Sequence, residues 1–301
     1  MRTLVTLSIL SILALTAPAG QAAEPSRIRH MTSLYSDNAG ISLKSPEGVA
    51  CTGNTLVTAD TANRRLLRFS MQDKAVSVDA VHELGEDVVP LSVQISATGD
   101  ILVLDGKTRG ILRFNDKGEP QGRLEIKGLP APDRTAFRNF KVDRQGNIHL
   151  LDLFGRRLII VNEEGTYLRQ LDLPVTHGFF ADLAVSSQGE IYLLDSVRAQ
   201  IYRAGKDATE FTALSRPMKD LMNFPVSIAV DRGGTLYLVD QYGSGLALVS
   251  RAGDFAGRKI SMGWAESQLL YPAQACVSQE EDILAIADRD NNRVQLFKIV
   301  R

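Results

Sequence analysis

The chain has 301 residues, and its 34 lysines and arginines nearly balance 35 aspartates and glutamates, leaving a formal net charge of −1. With no basic or acidic block, it lacks the clustered positive footprint on which nucleic-acid binding depends. A length of this order can hold two domains, so the organisation has to come from the pattern of residues.

The first segment stands apart. Met1-Arg2-Thr3 carries one positive charge, residues 4–15 are an apolar run, and Ala17-Pro18-Ala19 and Gln21-Ala22-Ala23 follow as small-residue cleavage sites. Together these read as a secretory signal peptide over residues 1–23. The run is short for a membrane span, which needs roughly 20 apolar residues, and no cysteine near the cleavage region offers a lipid anchor. The expectation is an exported chain with no membrane span after cleavage, periplasmic or secreted, monomeric, and of net charge −2 once Arg2 is lost.

Residues 28–35 form a strand-like stretch with no obvious partner. A repeat then begins. Gly53-Asn54-Thr55-Leu56-Val57-Thr58-Ala59-Asp60 is a glycine turn, a short apolar strand and an aspartate. Gly99-Asp100-Ile101-Leu102-Val103-Leu104-Asp105, Gly146-Asn147-Ile148-His149-Leu150-Leu151-Asp152, Gly189-Glu190-Ile191-Tyr192-Leu193-Leu194-Asp195 and Gly234-Thr235-Leu236-Tyr237-Leu238-Val239-Asp240 repeat the pattern. Asp282-Ile283-Leu284-Ala285-Ile286-Ala287-Asp288 is a sixth copy without its glycine. The closing aspartates recur at steps of 43 to 48 residues. A fixed period of this size marks an array in which each unit is one supersecondary element.

Each unit reads as three short strands and a more variable fourth, the length of one propeller blade. The expected fold is all-β, a six-bladed β-propeller of four-stranded antiparallel blades. Its inner three strands fall near 46–69, 90–114, 137–161, 180–203, 225–250 and 272–297. The sixth unit ends after its third strand, so residues 28–35 are expected to supply the missing outer strand and close the ring. Closure also removes an exposed sheet edge.

Pro46-Glu47-Gly48-Val49-Ala50, Ala59-Asp60-Thr61-Ala62-Asn63-Arg64-Arg65 and Ala287-Asp288-Arg289-Asp290-Asn291-Asn292-Arg293-Val294-Gln295-Leu296-Phe297 resemble NHL repeats. The resemblance covers roughly residues 28–301 and is strongest in the first and last units. The middle units depart from it: Asp152-Leu153-Phe154-Gly155-Arg156 lacks the asparagine, and Phe137 and Phe180 stand in place of the leading proline. It implies an interaction platform: a rigid, non-catalytic disc that binds a protein, an envelope component or a small ligand.

Little in the chain points to chemistry. The six aspartates recur before a turn, where a short carboxylate accepts hydrogen bonds from turn amides and neighbouring arginines, so they read as scaffold. The four histidines show no metal-ligand spacing, and His149 occupies the place of Tyr192 and Tyr237. Cys51 and Cys276 lie on the innermost strands of the first and last units, which a closed ring makes neighbours. Their opposite parity points them either towards each other or directly away. A disulfide and two buried thiols therefore both remain open.

On the loop face, Phe179, Met218, Met222 and Trp264 are candidates for an apolar interaction patch. Phe224 and Tyr271, beside the prolines, read as fillers of gaps between blades. The competing functional class is a divalent-metal-dependent hydrolase like the gluconolactonase-type lactonases, also six-bladed propellers. Glu47, Asn139 and Asp182, at the entrances to inner strands, would be its oxygen ligands for calcium or another divalent cation. Glu47 is one residue past its leading position and the other two are two past theirs, so convergence is not required by the register. The primary expectation includes no catalytic residue and no cofactor.

Overall fold

The computed structural model describes residues 27–72, 75–130 and 135–300; the expected signal peptide lies outside them. The second strand of each unit is buried along almost its whole length, as in Ile191–Asp195 and Leu236–Asp240. Such strands are apolar at successive positions because both faces of each sheet pack against neighbouring blades. Outer strands read differently. Ala75–Glu83 alternates exposed and half-buried residues along its length, the pattern of a sheet edge with one face in water.

Tight turns set the strand pairing. Gly99, Gly146, Gly189 and Gly234 precede the second strand with φ between 80° and 90°, a region glycine enters without steric cost. In the sixth unit Asp282 takes the position with φ 48°, which a short polar side chain tolerates.

The sheets form six blades, four-stranded except for the fifth, where Gln268–Leu269 adds a short parallel strand to Phe255–Met262. The last blade is completed from the other end of the chain. Arg27–Leu34 pairs antiparallel with Arg293–Val300, Arg27 opposite Val300 and Leu34 opposite Val294. The propeller is therefore closed as expected, with the closing strand one residue earlier than the 28–35 read from sequence. The inner strand of the sixth blade, Ala275–Ser278, begins later than the expected residue 272. Hydrogen bonds from Ala273 and to Gln274 continue the pairing with Ala287 as an irregular stretch.

A disulfide between Cys51 and Cys276 joins the first and last inner strands, with a Cα–Cα distance of 5.9 Å. Of the two orientations allowed by sequence, the facing one is realised. The core is a series of apolar clusters between adjacent blades. One of them holds Tyr192, Ile201, Ile228 and Leu238 together with Met218 and Met222.

The recurrent aspartates hold these blades by one repeated contact. Asp60, Asp105, Asp152, Asp195, Asp240 and Asp288 are buried. The Oδ1 of each accepts a backbone N–H from the loop entering its own blade: Lys44, Val89, Ala136, Phe179, Asn223 and Leu270, at 2.7–3.1 Å. In the first and last blades the other oxygen takes an asparagine amide and an arginine, Asn63 with Arg65 and Asn291 with Arg293. Their scaffolding role follows from this satisfied geometry.

Candidate functional site at the front mouth of the channel

The inner strands begin with the same irregularity. Pairing slips between Pro46 and Gly48, Pro90 and Ser92, Phe137 and Asn139, Phe180 and Asp182, and Pro225 and Ser227. A bulge places an extra residue in the strand and re-aims its side chains. Two sets of equivalent positions follow. Glu47, Leu91, Arg138, Ala181, Val226 and Ala273 come first, and Gly48, Ser92, Asn139, Asp182, Ser227 and Gln274 second.

The second set forms a polar belt. The Asn139 amide donates to Asp182 Oδ1 at 2.7 Å, and the Ser227 hydroxyl donates to Asp182 Oδ2 at 2.8 Å. The backbone N–H groups of Leu183 and Ile228 also donate to this carboxylate, and Lys141 Nζ lies 3.4 Å from it. Gln274 accepts from the Val49 N–H and donates to the Ser92 hydroxyl. Gly48 completes the ring of positions, because a Cβ there would sit 3.0 Å from Ser92 Cα and 3.1 Å from Leu91 O.

This belt answers the metal question on its donors. A calcium or magnesium site needs oxygen lone pairs aimed at one point. Here both Asp182 oxygens are surrounded by N–H and O–H donors, and Asn139 Oδ1 accepts from the Phe140 N–H. Glu47 faces two guanidinium groups instead. The structure brings Asn139 and Asp182 together, but as each other's hydrogen-bond partners, and the three residues do not fit a cation. Among the described residues no group of three or more histidine, cysteine, aspartate or glutamate side chains is arranged to hold a metal.

In front of the belt lies a cavity of about 330 Å³, lined among others by Glu47, Arg138, Phe179, Phe224, Tyr242 and Arg289. An aromatic arc forms part of its wall, through Phe179, Phe224 and Tyr242, and continues beyond it to Tyr271. Phe179 stacks on Phe224 at 6.2 Å, Phe224 on Tyr242 at 5.2 Å, and Tyr242 meets Tyr271 edge-on at 6.0 Å. A guanidinium caps each end: Arg138 lies 5.6 Å from the Phe179 centroid and Arg289 5.9 Å from that of Tyr271. Both distances fall within the cation–π range. Phe224 and Tyr271 hold φ of 67° and 44°, a left-handed conformation that costs a bulky side chain on the order of 1–3 kcal/mol.

Glu47 closes the circle, its Oε1 3.9 Å from Arg289 Nη1. Burial raises its carboxyl above the ordinary carboxylate value, against the pull of Arg289 and Arg138. Burial likewise lowers the Arg138 guanidinium, and repulsion from Arg109 adds to this, against the attraction of Asp182 and Glu47.

The sequence-derived interaction patch is not assembled. Met218 and Met222 are buried between the fourth and fifth blades, where their flexible side chains fill a gap between sheets. Trp264 is 78% exposed and does not line the cavity, whereas Phe179 does. Phe224 and Tyr271 are not mere fillers, since Phe224 lines the cavity and Tyr271 is exposed beside Arg289. Sequence reasoning passed over Arg138, Arg289, Tyr242 and Gln274. Aligning the units on the residue ahead of each inner strand would have brought Arg138 into the column of Glu47.

His149 pairs through one ring nitrogen with a carboxylate of its own blade. Its Nε2 lies 2.9 Å from Asp143 Oδ2, as the Tyr237 hydroxyl donates to Asp231. The rear of the channel has its own cavity of about 260 Å³, lined by Lys141 and the disulfide. There Arg144 of the third blade reaches Gln279 and Glu280 of the sixth.

No protein-family model matches the chain. No curated protein matches it by sequence either. Solved structures do match in three dimensions. Virginiamycin B lyase from Staphylococcus aureus superposes with a TM-score of 0.61 at 13% identity, covering 92% of this chain and 100% of that one. A gluconolactonase from Xanthomonas campestris gives 0.65 at 18% identity, covering 94% and 99%. A luciferin-regenerating enzyme gives 0.63 at 13% identity, covering 92% and 96%. These neighbours are propeller enzymes, and at such identities the likeness shows the fold: the chain is a six-bladed β-propeller.

Proposed function

We propose that this protein works on a small molecule held at the front mouth of its channel. The observation that carries the reading is the aromatic run Phe179, Phe224 and Tyr242, which lines one cavity together with Arg138, Arg289 and Glu47. A concave site with stacked rings and a few convergent charged groups suits a ring compound better than a flat protein surface. Soaking crystals of the mature protein in a library of ring compounds tests this. Compounds seated against Phe224 and Tyr242 would support it; occupancy confined to the rear cavity or the outer blades would contradict it.

A second reading, hydrolysis of a cyclic ester, draws on the enzyme neighbours and on Glu47. A half-buried carboxylate with a raised pKa is suited to general-base work. In this scheme Glu47 takes a proton from a water whose oxygen adds to the ester carbonyl, and Arg289 stabilises the resulting oxyanion. The ring C–O bond then breaks, and the proton passes from Glu47 to the departing alkoxide. No metal enters the scheme, because the belt residues are occupied with one another. Turnover of lactones by the mature protein, lost in Glu47→Gln, would support it.

The finer assignments rest on separate supports. The paired Asn–Asp–Arg contacts of the first and last blades support NHL kinship. The disulfide favours an oxidising, exported location, periplasmic or extracellular, with the protein acting as a monomer.

A further inference from the structure

The cavity contains two arginines with different surroundings. Arg289 lies 2.9 Å from Asp290 and 3.9 Å from Glu47. Arg138 has no such company. Among the described residues no carboxylate lies within ion-pair distance of its guanidinium, and its Nε is buried with no hydrogen-bond partner. What holds it is the face of Phe179 beneath it. A buried donor without an acceptor carries a desolvation cost that native structures rarely leave uncompensated. The charges facing it are Glu47 and Asp182 on the favourable side and Arg109 on the other. Asp182 is already saturated by five donors, and Glu47 is turned to Arg289.

We infer that Arg138 is the anion-recognising residue of the mouth, and that the ligand is a small ring compound bearing a carboxylate. The inference rests on the reading of the mouth as a small-molecule site and specifies its ligand. A guanidinium presents a planar fork of donors that matches a carboxylate bidentately. Phe179 fixes the plane of that fork, and Phe224 and Tyr242 continue as a wall for the ring attached to the anion. A carboxylate seated against the part of the guanidinium that lines the cavity supplies the negative charge that Arg138 lacks. Arg289, which is shared with Glu47 and Asp290, flanks the far end and takes no part in that contact.

Calorimetric titration of the mature protein with matched pairs tests this: benzoate against benzamide, 2-naphthoate against 2-naphthamide, cyclohexanecarboxylate against its amide. Each amide keeps the ring and loses the charge. The carboxylates should bind about tenfold or more tightly than their amides. Arg138→Gln should bring the acids down to the level of the amides, while Phe224→Ala weakens both. Equal affinity of acid and amide for the wild-type protein would overturn the role of Arg138 and leave the small-molecule reading standing. That comparison needs no variant. Binding of neither series would overturn both.

Discussion

Asn139 and Asp182, on the inner strands of adjacent blades, are joined across 2.7 Å by a hydrogen bond in which the asparagine amide donates. The bond turns two apparent metal ligands into a strut. With Ser227, Lys141 and two backbone amides it makes Asp182 an anion whose every lone pair is spoken for.

Asp182→Ala would strand those donors and leave Lys141 beside an uncompensated site. Removing one partner of a buried, hydrogen-bonded charge costs on the order of 3–5 kcal/mol, to be read from urea unfolding. Calcium or magnesium should leave the wild-type melting temperature unchanged, since a metal that binds only the folded state must raise it. A metal-dependent rise abolished by Asp182→Ala would restore the metal hydrolase.

The Cys51–Cys276 bond joins strands 225 residues apart in sequence, at the seam that the closing strand also seals. Thiol titration of the unfolded, unreduced protein should find no free thiol. Replacing both cysteines by serine should lower the unfolding free energy by about 2–4 kcal/mol. The paired Arg27–Leu34 strand should keep the variant folded, which circular dichroism would register.

Glu47 gives a pH signature. Its folded-state pKa lies above the ordinary 4.5, so above that pH the folded protein retains a proton that the unfolded chain has released. The slope of stability with pH is then negative: the contribution is full below the unfolded pKa and is lost as pH rises through the folded one. Glu47→Gln removes the titration. Its melting temperature should match the wild type below the ordinary value of 4.5 and exceed it progressively as pH rises above that value. An advantage largest in acid would contradict the account.

Burial separates two residues that the sequence placed together. Met222→Ala removes a packed core side chain and should cost about 2–5 kcal/mol. Trp264→Ala, at a site 78% exposed, should stay within about 0.5 kcal/mol. Denaturant titrations of both variants compare them directly.

The architecture was legible because its signals are local and repeated. A run such as Leu236–Asp240 with its closing aspartate recurs six times, five of them after a glycine turn, and the orphan strand has one vacancy to fill. The mouth was harder to read. Arg138 and Glu47 become equivalent only when units are aligned on the bulge that starts each inner strand. Phe224, Tyr242 and Tyr271 join into an arc only through the curvature of the ring, which no linear spacing records. Met218 was misjudged because a methionine-bearing loop looks the same whether it folds outward or tucks between blades. The cysteine pair was half legible: parity left two orientations, and the packing of first blade against last selected one.

The most direct test is a melting-temperature screen of ring compounds against the wild type and Tyr242→Ala, whose side chain is 49% exposed and so dispensable for folding. Compounds that raise the wild-type melting temperature should lose most of that shift in the variant. Hits that stabilise both proteins equally would place the ligand away from the front mouth and contradict the account.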